Sequence, residues 1–247
     1  MVIVSKSNPL VKELVSLKEK KGRQKSETFL VEGIKMVREC VAGGMQIVRL
    51  VVREDYAGET YSLPTVTLGA DAFSAVSNEK TPQGIAAEVK LPVCALAPPS
   101  GACIVLDEVS DPSNTGAIVR TAVAAGYREI YCIGGADPYS PKSVRASMSG
   151  VFFAKIMRGT RSEVLTALNG VPLVAADMSG ENAFTAILPE KFALCIGNEG
   201  GGLSEEVAAK AQKTVRIPMG KHTESLNAAV SAGILMYLLK KKMFEQE

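Results

Sequence analysis

From residue 103 onward the chain alternates short, uninterrupted apolar runs with segments of helical period, and few folds accept that pattern. Residues 103–107, 129–133, 152–156, 173–176, 193–196 and 215–217 read as strands. Helices fit at 114–125, 141–148, 161–168, 204–210 and 225 to about 242. A strand that is apolar on both faces needs cover on both sides, which points to an α/β architecture with a mostly parallel sheet between layers of helices. In such sheets ligands bind beyond the carboxyl ends of the strands, so the loops there are where chemistry is expected.

The first half alternates less strongly. Asn8-Pro9 offers a cap and a first-turn proline for a helix that should fade at Lys20-Lys21-Gly22. A strand is expected at 29–31, a helix at 34–41 stopped by Gly43-Gly44, strands at 47–52, 65–68 and 85–89, and a helix at 70–76. Together these make a small α/β unit over residues 1–91. Pro92, Pro98 and Pro99 mark 92–101 as a linker, which leaves 102–247 as the second domain.

The longest apolar run, 228–239, is too short for a membrane span, and the first residues lack a charged-then-apolar leader. A cytoplasmic protein is therefore expected. Five scattered cysteines without a Cys-x-x-Cys pair, and the single histidine His222, argue against a disulfide framework and against a metal site. The net charge is only +2, yet residues 1–25 hold seven cations against two carboxylates, leaving the remainder of the chain net acidic. Lys20, Lys21, Arg23 and Lys25 in that segment are candidate phosphate contacts, although a solvated helix end would look the same.

Three later segments carry the strongest chemical signal. In DPSNTGAIVRTAVAAG (111–126), Asn114 is placed to cap a helix, Gly116 permits close approach, and Arg120 falls in the second turn of an apolar helix. Its side chain is expected to lean back toward the Asn114 loop, where it must find an anion or water; alone it reads as readily as a structural salt bridge. In LCIGNEGGGLSEEV (194–207), a strand runs into Gly197-Asn198-Glu199-Gly200-Gly201-Gly202, which lacks the dinucleotide G-x-G-x-x-G order. In VRIPMGKHTESLNAAVSAGILMYLL (215–239), a strand, a polar loop and Ser225-Leu226-Asn227 precede a long helix of small residues. Gly220-Lys221 is not a phosphate loop, because His222 replaces the required hydroxyl residue and Val215 the first glycine.

Singly, each segment has an ordinary structural explanation. In this order they resemble the three motifs of the SpoU (TrmH-like) branch of the SPOUT methyltransferases, over roughly residues 101–243. The matching residues are Asn114, Gly116 and Arg120; Gly197, Glu199, Gly200 and Gly202; then Ile217 to Met219 and Ser225 to Asn227. Residues 20–33 more loosely resemble the ribosomal-protein-like substrate-binding domain of that family.

The resemblance implies a C-terminal trefoil-knot domain, S-adenosylmethionine as methyl donor, a homodimer with a shared site, and an RNA ribose 2′-hydroxyl as acceptor. It assigns Gly197, Gly202, Ile217, Met219, Leu226 and the stretch around Ala175 to Met178 to the donor, and Arg120, Asn114, Glu199, Ser225 and Asn227 to the reaction. Arginine stays protonated, so stabilising the emerging oxyanion or orienting an RNA phosphate suits Arg120 better than base catalysis. The ribosomal-protein-like N-terminus favours ribosomal over transfer RNA; a non-catalytic RNA-binding assembly factor of the same fold is the alternative from another class. The loop 219–224 is more charged than usual in the family, which bears on substrate choice.

Overall fold

The computed structural model describes residues 1–223 and 225–241. In the N-terminal half, β1 (Val2–Ile3), α1 (Pro9–Ser16), α2 (Lys20–Ser26), β2 (Thr28–Glu32), α3 (Ile34–Ala42), β3 (Ile47–Arg53), β4 (Thr65–Leu68), α4 (Ala70–Val76) and β5 (Ile85–Lys90) follow in order. Their sheet is mixed, with strand order β1-β4-β3-β5-β2, parallel from β1 to β3 and antiparallel around β5.

The C-terminal half contains β6 (Cys103–Asp107), α5 (Pro112–Ala124), β7 (Glu129–Ile133), α6 (Pro141–Ser147), α7 (Gly150–Phe153), β8 (Lys155–Gly159) and α8 (Arg161–Ala167). It continues with β9 (Leu173–Asn182), β10 (Ala193–Ile196), α9 (Glu205–Ala209), β11 (Lys213–Arg216) and α10 (Ala228–Leu239). Every pairing in this six-stranded sheet is parallel, in the order β11-β9-β10-β6-β7-β8. All residues of β6 and β10 are buried, as their continuous apolar character requires. No helix among the described residues is long and apolar enough to cross a membrane.

The two sheets share one core. Residues of β2, β3 and α3 lie in the same buried cluster as residues of β6, α5 and α10. The Phe29 and Tyr139 rings sit 5.0 Å apart across the junction, and the 91–101 connection is extended without regular structure.

Several elements differ from the sequence expectation. The chain does not fade at Lys20: Glu19 turns it in an extended conformation, and a separate helix, α2, begins. Residues 150–153 form a helical turn instead of a strand, because Met148 and Ser149 both take left-handed backbone conformations that end α6 and restart a helix. The cap of α5 is Asp111, whose carboxylate accepts the Ser113 amide at 2.7 Å with Pro112 as first helical residue. Asn114 thus lies inside the helix, which frees its amide for tertiary contacts. The last helix starts at Ala228, with Asn227 as its cap, and the expected end near Lys242 lies outside the described residues.

Candidate active site

The glycine-rich loop leaves β10 at Ile196 and folds back on itself. Asn198 and Gly202 exchange backbone hydrogen bonds at 2.8 and 2.9 Å, and the Asn198 side chain accepts the Gly200 and Gly201 amides. A Cβ at Gly197 would lie 2.2 Å from the Gly202 carbonyl carbon, so only glycine permits this closure. The loop is also tied to the neighbouring strand: Asn198 Nδ2 donates to the Glu108 carbonyl at 2.9 Å, and Asp107 accepts the Ser204 amide and hydroxyl at 2.8 and 2.6 Å. Arg161 then bridges Asp107 and Glu108, at 3.3 and 2.9 Å. The sequence pattern does not mark Asn198, Asp107 or Arg161 as site residues; Asp107, an acid closing a fully apolar strand, is the one visible signal.

Glu199 reaches out of this loop to the start of α5. Its carboxylate accepts four hydrogen bonds, from the Ser110 amide (3.0 Å) and hydroxyl (2.8 Å), the Asp111 amide (3.1 Å) and Asn114 Nδ2 (2.8 Å). Burial on its own would raise this carboxyl, but the bonds from Asn114 and Ser110 prevail and hold it at about 2. At neutral pH Glu199 is an ionised, saturated acceptor, unsuited to proton abstraction.

Asn114 faces two partners. Its Nδ2 serves Glu199 while its Oδ1 accepts Asn227 Nδ2 at 2.9 Å. Asn227 Oδ1 in turn accepts the Ala229 and Val230 amides at 2.9 and 3.3 Å, capping α10. Those amides are donors only, which fixes the orientation of Asn227, and through it that of Asn114. One buried amide therefore ties the three segments together.

Beside this junction lie two adjoining cavities of about 140 and 360 Å3 that share Ala176, Ser225, Leu226 and Ser231. Ile217, Met219 and Leu235 line the smaller, and Gly197, Glu199, Gly202 and Asn227 the larger. Apolar walls, a glycine-lined edge and a few convergent polar groups suit a nucleoside-sized ligand. Among the expected donor residues, Gly197, Gly202, Ile217, Met219 and Leu226 line these cavities. Ala175 does not: it is buried in β9 between Cys195 and Thr214, and strand alternation turns its neighbour Ala176 to the cavity. Gly116 is likewise used elsewhere, its missing side chain admitting the Ser143 carbonyl of α6.

Arg120 stands apart. It is exposed, lines neither cavity, and has no hydrogen bond or ion pair among the described residues, so the structural salt bridge is not present. Lys20, Lys21 and Lys25 are exposed on α2. Arg23 is not: it is 3 % exposed, its Nη2 lies 2.6 Å from Asp137 Oδ2, and its Nη1 donates to the Leu17 and Lys18 carbonyls. Asp137 also pairs with Arg158 at 3.3 Å. Arg23 is therefore a junction residue whose guanidinium is closed to phosphate. The five cysteines are free, and burial pushes the Cys40, Cys103 and Cys132 thiols up to about 12.

A parallel α/β sheet with a glycine-cradled cavity at the carboxyl ends of its strands has the architecture of the SPOUT methyltransferases. Residues 101–237 match the SpoU rRNA Methylase family, and residues 8–87 match the MRM3-like substrate binding domain. The chain belongs to the SpoU rRNA methylase family. It is 32% identical to the 23S rRNA (guanosine(2553)-2′-O)-methyltransferase RlmP of Bacillus subtilis, over 96% of this chain and 98% of that protein. It is 30% identical to the 23S rRNA (adenosine(1067)-2′-O)-methyltransferase of Streptomyces laurentii, over 96% and 94% of the two chains. The AdoMet-bound rRNA methyltransferase from Sinorhizobium meliloti superposes with a TM-score of 0.88 at 28% identity, covering 98% of both chains.

Proposed function

We propose that this protein uses S-adenosylmethionine to methylate a ribose 2′-hydroxyl in ribosomal RNA. The observation that carries this reading is the Glu199–Asn114–Asn227 chain of hydrogen bonds, which brings all three family segments to one cavity with their functional groups intact. The two 23S rRNA enzymes above act on the 2′-oxygen of different nucleosides, a guanosine and an adenosine, which fits a site that reads the ribose and leaves base selection to other surfaces.

The donor supplies an electrophilic methyl group on a sulfonium. Gly197, Gly202, Ile217, Met219 and Leu226 would hold it, with Ala176 in the place expected of Ala175, in what the resemblance makes the knotted loops. Ser225 and Asn227, at the cavity edge, orient the ribose. Glu199 acts as a fixed anchor, since its lowered pKa leaves a carboxylate too weakly basic to take the proton. Arg120 stabilises the negative charge developing on the 2′-oxygen, or holds an RNA phosphate that accepts the proton.

Because Arg120 lines neither cavity of its own chain, the reading includes a homodimer in which each subunit's Arg120 serves the other's cavity. The exposed apolar residues Val230 and Tyr237 on α10, beside α5, support it. Residues 1–91 are assigned to RNA selection, with Lys20, Lys21 and Lys25 on phosphates, joined by 92–101 to a catalytic domain over 102–247. The cytoplasm, where ribosomal RNA is met, is the assigned location.

The test is mass-spectrometric mapping of ribose methylation in ribosomal and transfer RNA from a deletion strain, with calorimetry of donor binding. One missing 2′-O-methyl in ribosomal RNA is expected. Loss confined to transfer RNA would reassign the substrate, and absence of donor binding would return the chain to a non-catalytic assembly role.

A further inference from the structure

The turn between α6 and α7 is unusual in its backbone and in what lies on each side of it. Met148 has φ of 43° and Ser149 φ of 72°, two consecutive left-handed residues without a glycine between them. Such residues cost on the order of 1–3 kcal/mol each and persist only where the surroundings hold them. The next residue, Gly150, packs on the catalytic helix: a Cβ there would lie 3.0 Å from the Arg120 Cα and 3.2 Å from its amide nitrogen. Any shift of this turn therefore reaches the backbone of Arg120 directly.

Besides hydrogen bonds within its own half, the turn is held from the other half of the molecule. The Ser149 hydroxyl, buried at the junction, lies within hydrogen-bond reach of the Glu39 carboxylate of α3 and of the Met148 carbonyl, its one proton serving either acceptor. One turn further along α3, Gly43 lies against the ring of Phe153, with the site of its absent Cβ 3.5 Å from the ring. Thus α3 meets α7 at both ends, and the first residue of α7, Gly150, packs on the Arg120 backbone of α5.

We infer that Glu39, through Ser149, is a positioning residue for Arg120: the RNA-selecting half holds the strained turn that sets where the catalytic arginine stands. The inference rests on Arg120 acting in the reaction. It gives the two unfavourable conformations that sit together at this place a role. Catalysis tolerates little displacement, since an error of about 1 Å in a reacting group can cost about a hundredfold.

The experiment measures methyl transfer from labelled donor to ribosomal RNA isolated from a deletion strain, using the full chain. Glu39→Ala is expected to lower kcat roughly tenfold or more, with KM for RNA and donor affinity little changed. Glu39→Gln keeps an acceptor oxygen and is expected to keep most of the turnover. Ser149→Gly, placed in the Glu39→Ala background, is expected to restore kcat, because glycine adopts the left-handed conformation without the clamp. A general weakening of the fold would not be rescued in that way. Wild-type kcat in Glu39→Ala, or a loss appearing only in KM, would overturn the inference. If Arg120→Ala itself proved fully active, the functional reading beneath it would be at fault instead.

Discussion

Two arginines, one in the basic N-terminal segment and one in the apolar helix α5, exchange the environments that their neighbours in sequence suggest. Arg23 sits among lysines, where a solvated phosphate contact is the natural expectation, yet it is buried against Asp137. Arg120 sits among Ile118, Val119 and Val123, where a buried ion pair is the natural expectation, yet it is exposed and lacks a partner among the described residues. The difference lies in what the fold brings from a distance. Asp137, 114 residues along the chain, offers Arg23 a carboxylate at the junction of the halves. At Arg120 the side chain is exposed, and no described acid lies within ion-pair distance. An arginine kept free at a helix surface is available to a substrate, whereas a satisfied buried one stabilises.

That contrast can be broken by experiment. The largest effect is expected at Arg120: its replacement by alanine should lower methyl transfer by about a thousandfold while donor affinity by calorimetry stays within a few-fold. Equal turnover in the variant and the native protein would remove it from the reaction. Next comes Arg23→Ala, expected to cost about 3 kcal/mol of stability in urea unfolding, because Asp137 keeps only the more distant Arg158 as a counter-charge. A loss of RNA affinity without a loss of stability would restore the phosphate role to Arg23.

A smaller change is expected when Lys20, Lys21 and Lys25 are replaced together by alanine. RNA affinity should fall roughly tenfold near physiological salt, and the salt slope should drop by about 2, as for three phosphate contacts on single-stranded RNA. An unchanged slope would make α2 a solvated face only. The smallest effect concerns pH. Glu199 is held at about 2, below its ordinary 4.5, so its contribution to stability is complete above about pH 4.5 and fades as pH falls toward 2. The thermal midpoint by circular dichroism should drop through that window, less steeply in Glu199→Gln; identical slopes would contradict the assigned hydrogen bonding.

Much of the architecture is legible without coordinates. Uninterrupted apolar runs such as 103–107 and 193–196 coincide with β6 and β10, because burial on both faces leaves no room for polar alternation. The local errors have local causes. Asp111 outcompeted Asn114 as a cap because Pro112 was already suited to the first helical position. The 150–153 segment is apolar enough for a strand, and only the left-handed pair before it turns it into a helix. Ala175 missed the cavity by one residue, the period-two error that any strand allows.

The sequence by itself determined the strand–helix order, the glycine-rich loop and the identity of the groups that meet at the cavity, because periodicity and residue chemistry are local properties. Only the tertiary structure decided that Asn114 joins Glu199 to Asn227, that Arg23 locks the two halves while Arg120 stays open, and that Glu39 reaches the turn behind it. Those are contacts between residues about 85 to 115 apart in the chain, with partners selected by packing and charge in three dimensions, which no neighbouring residue encodes.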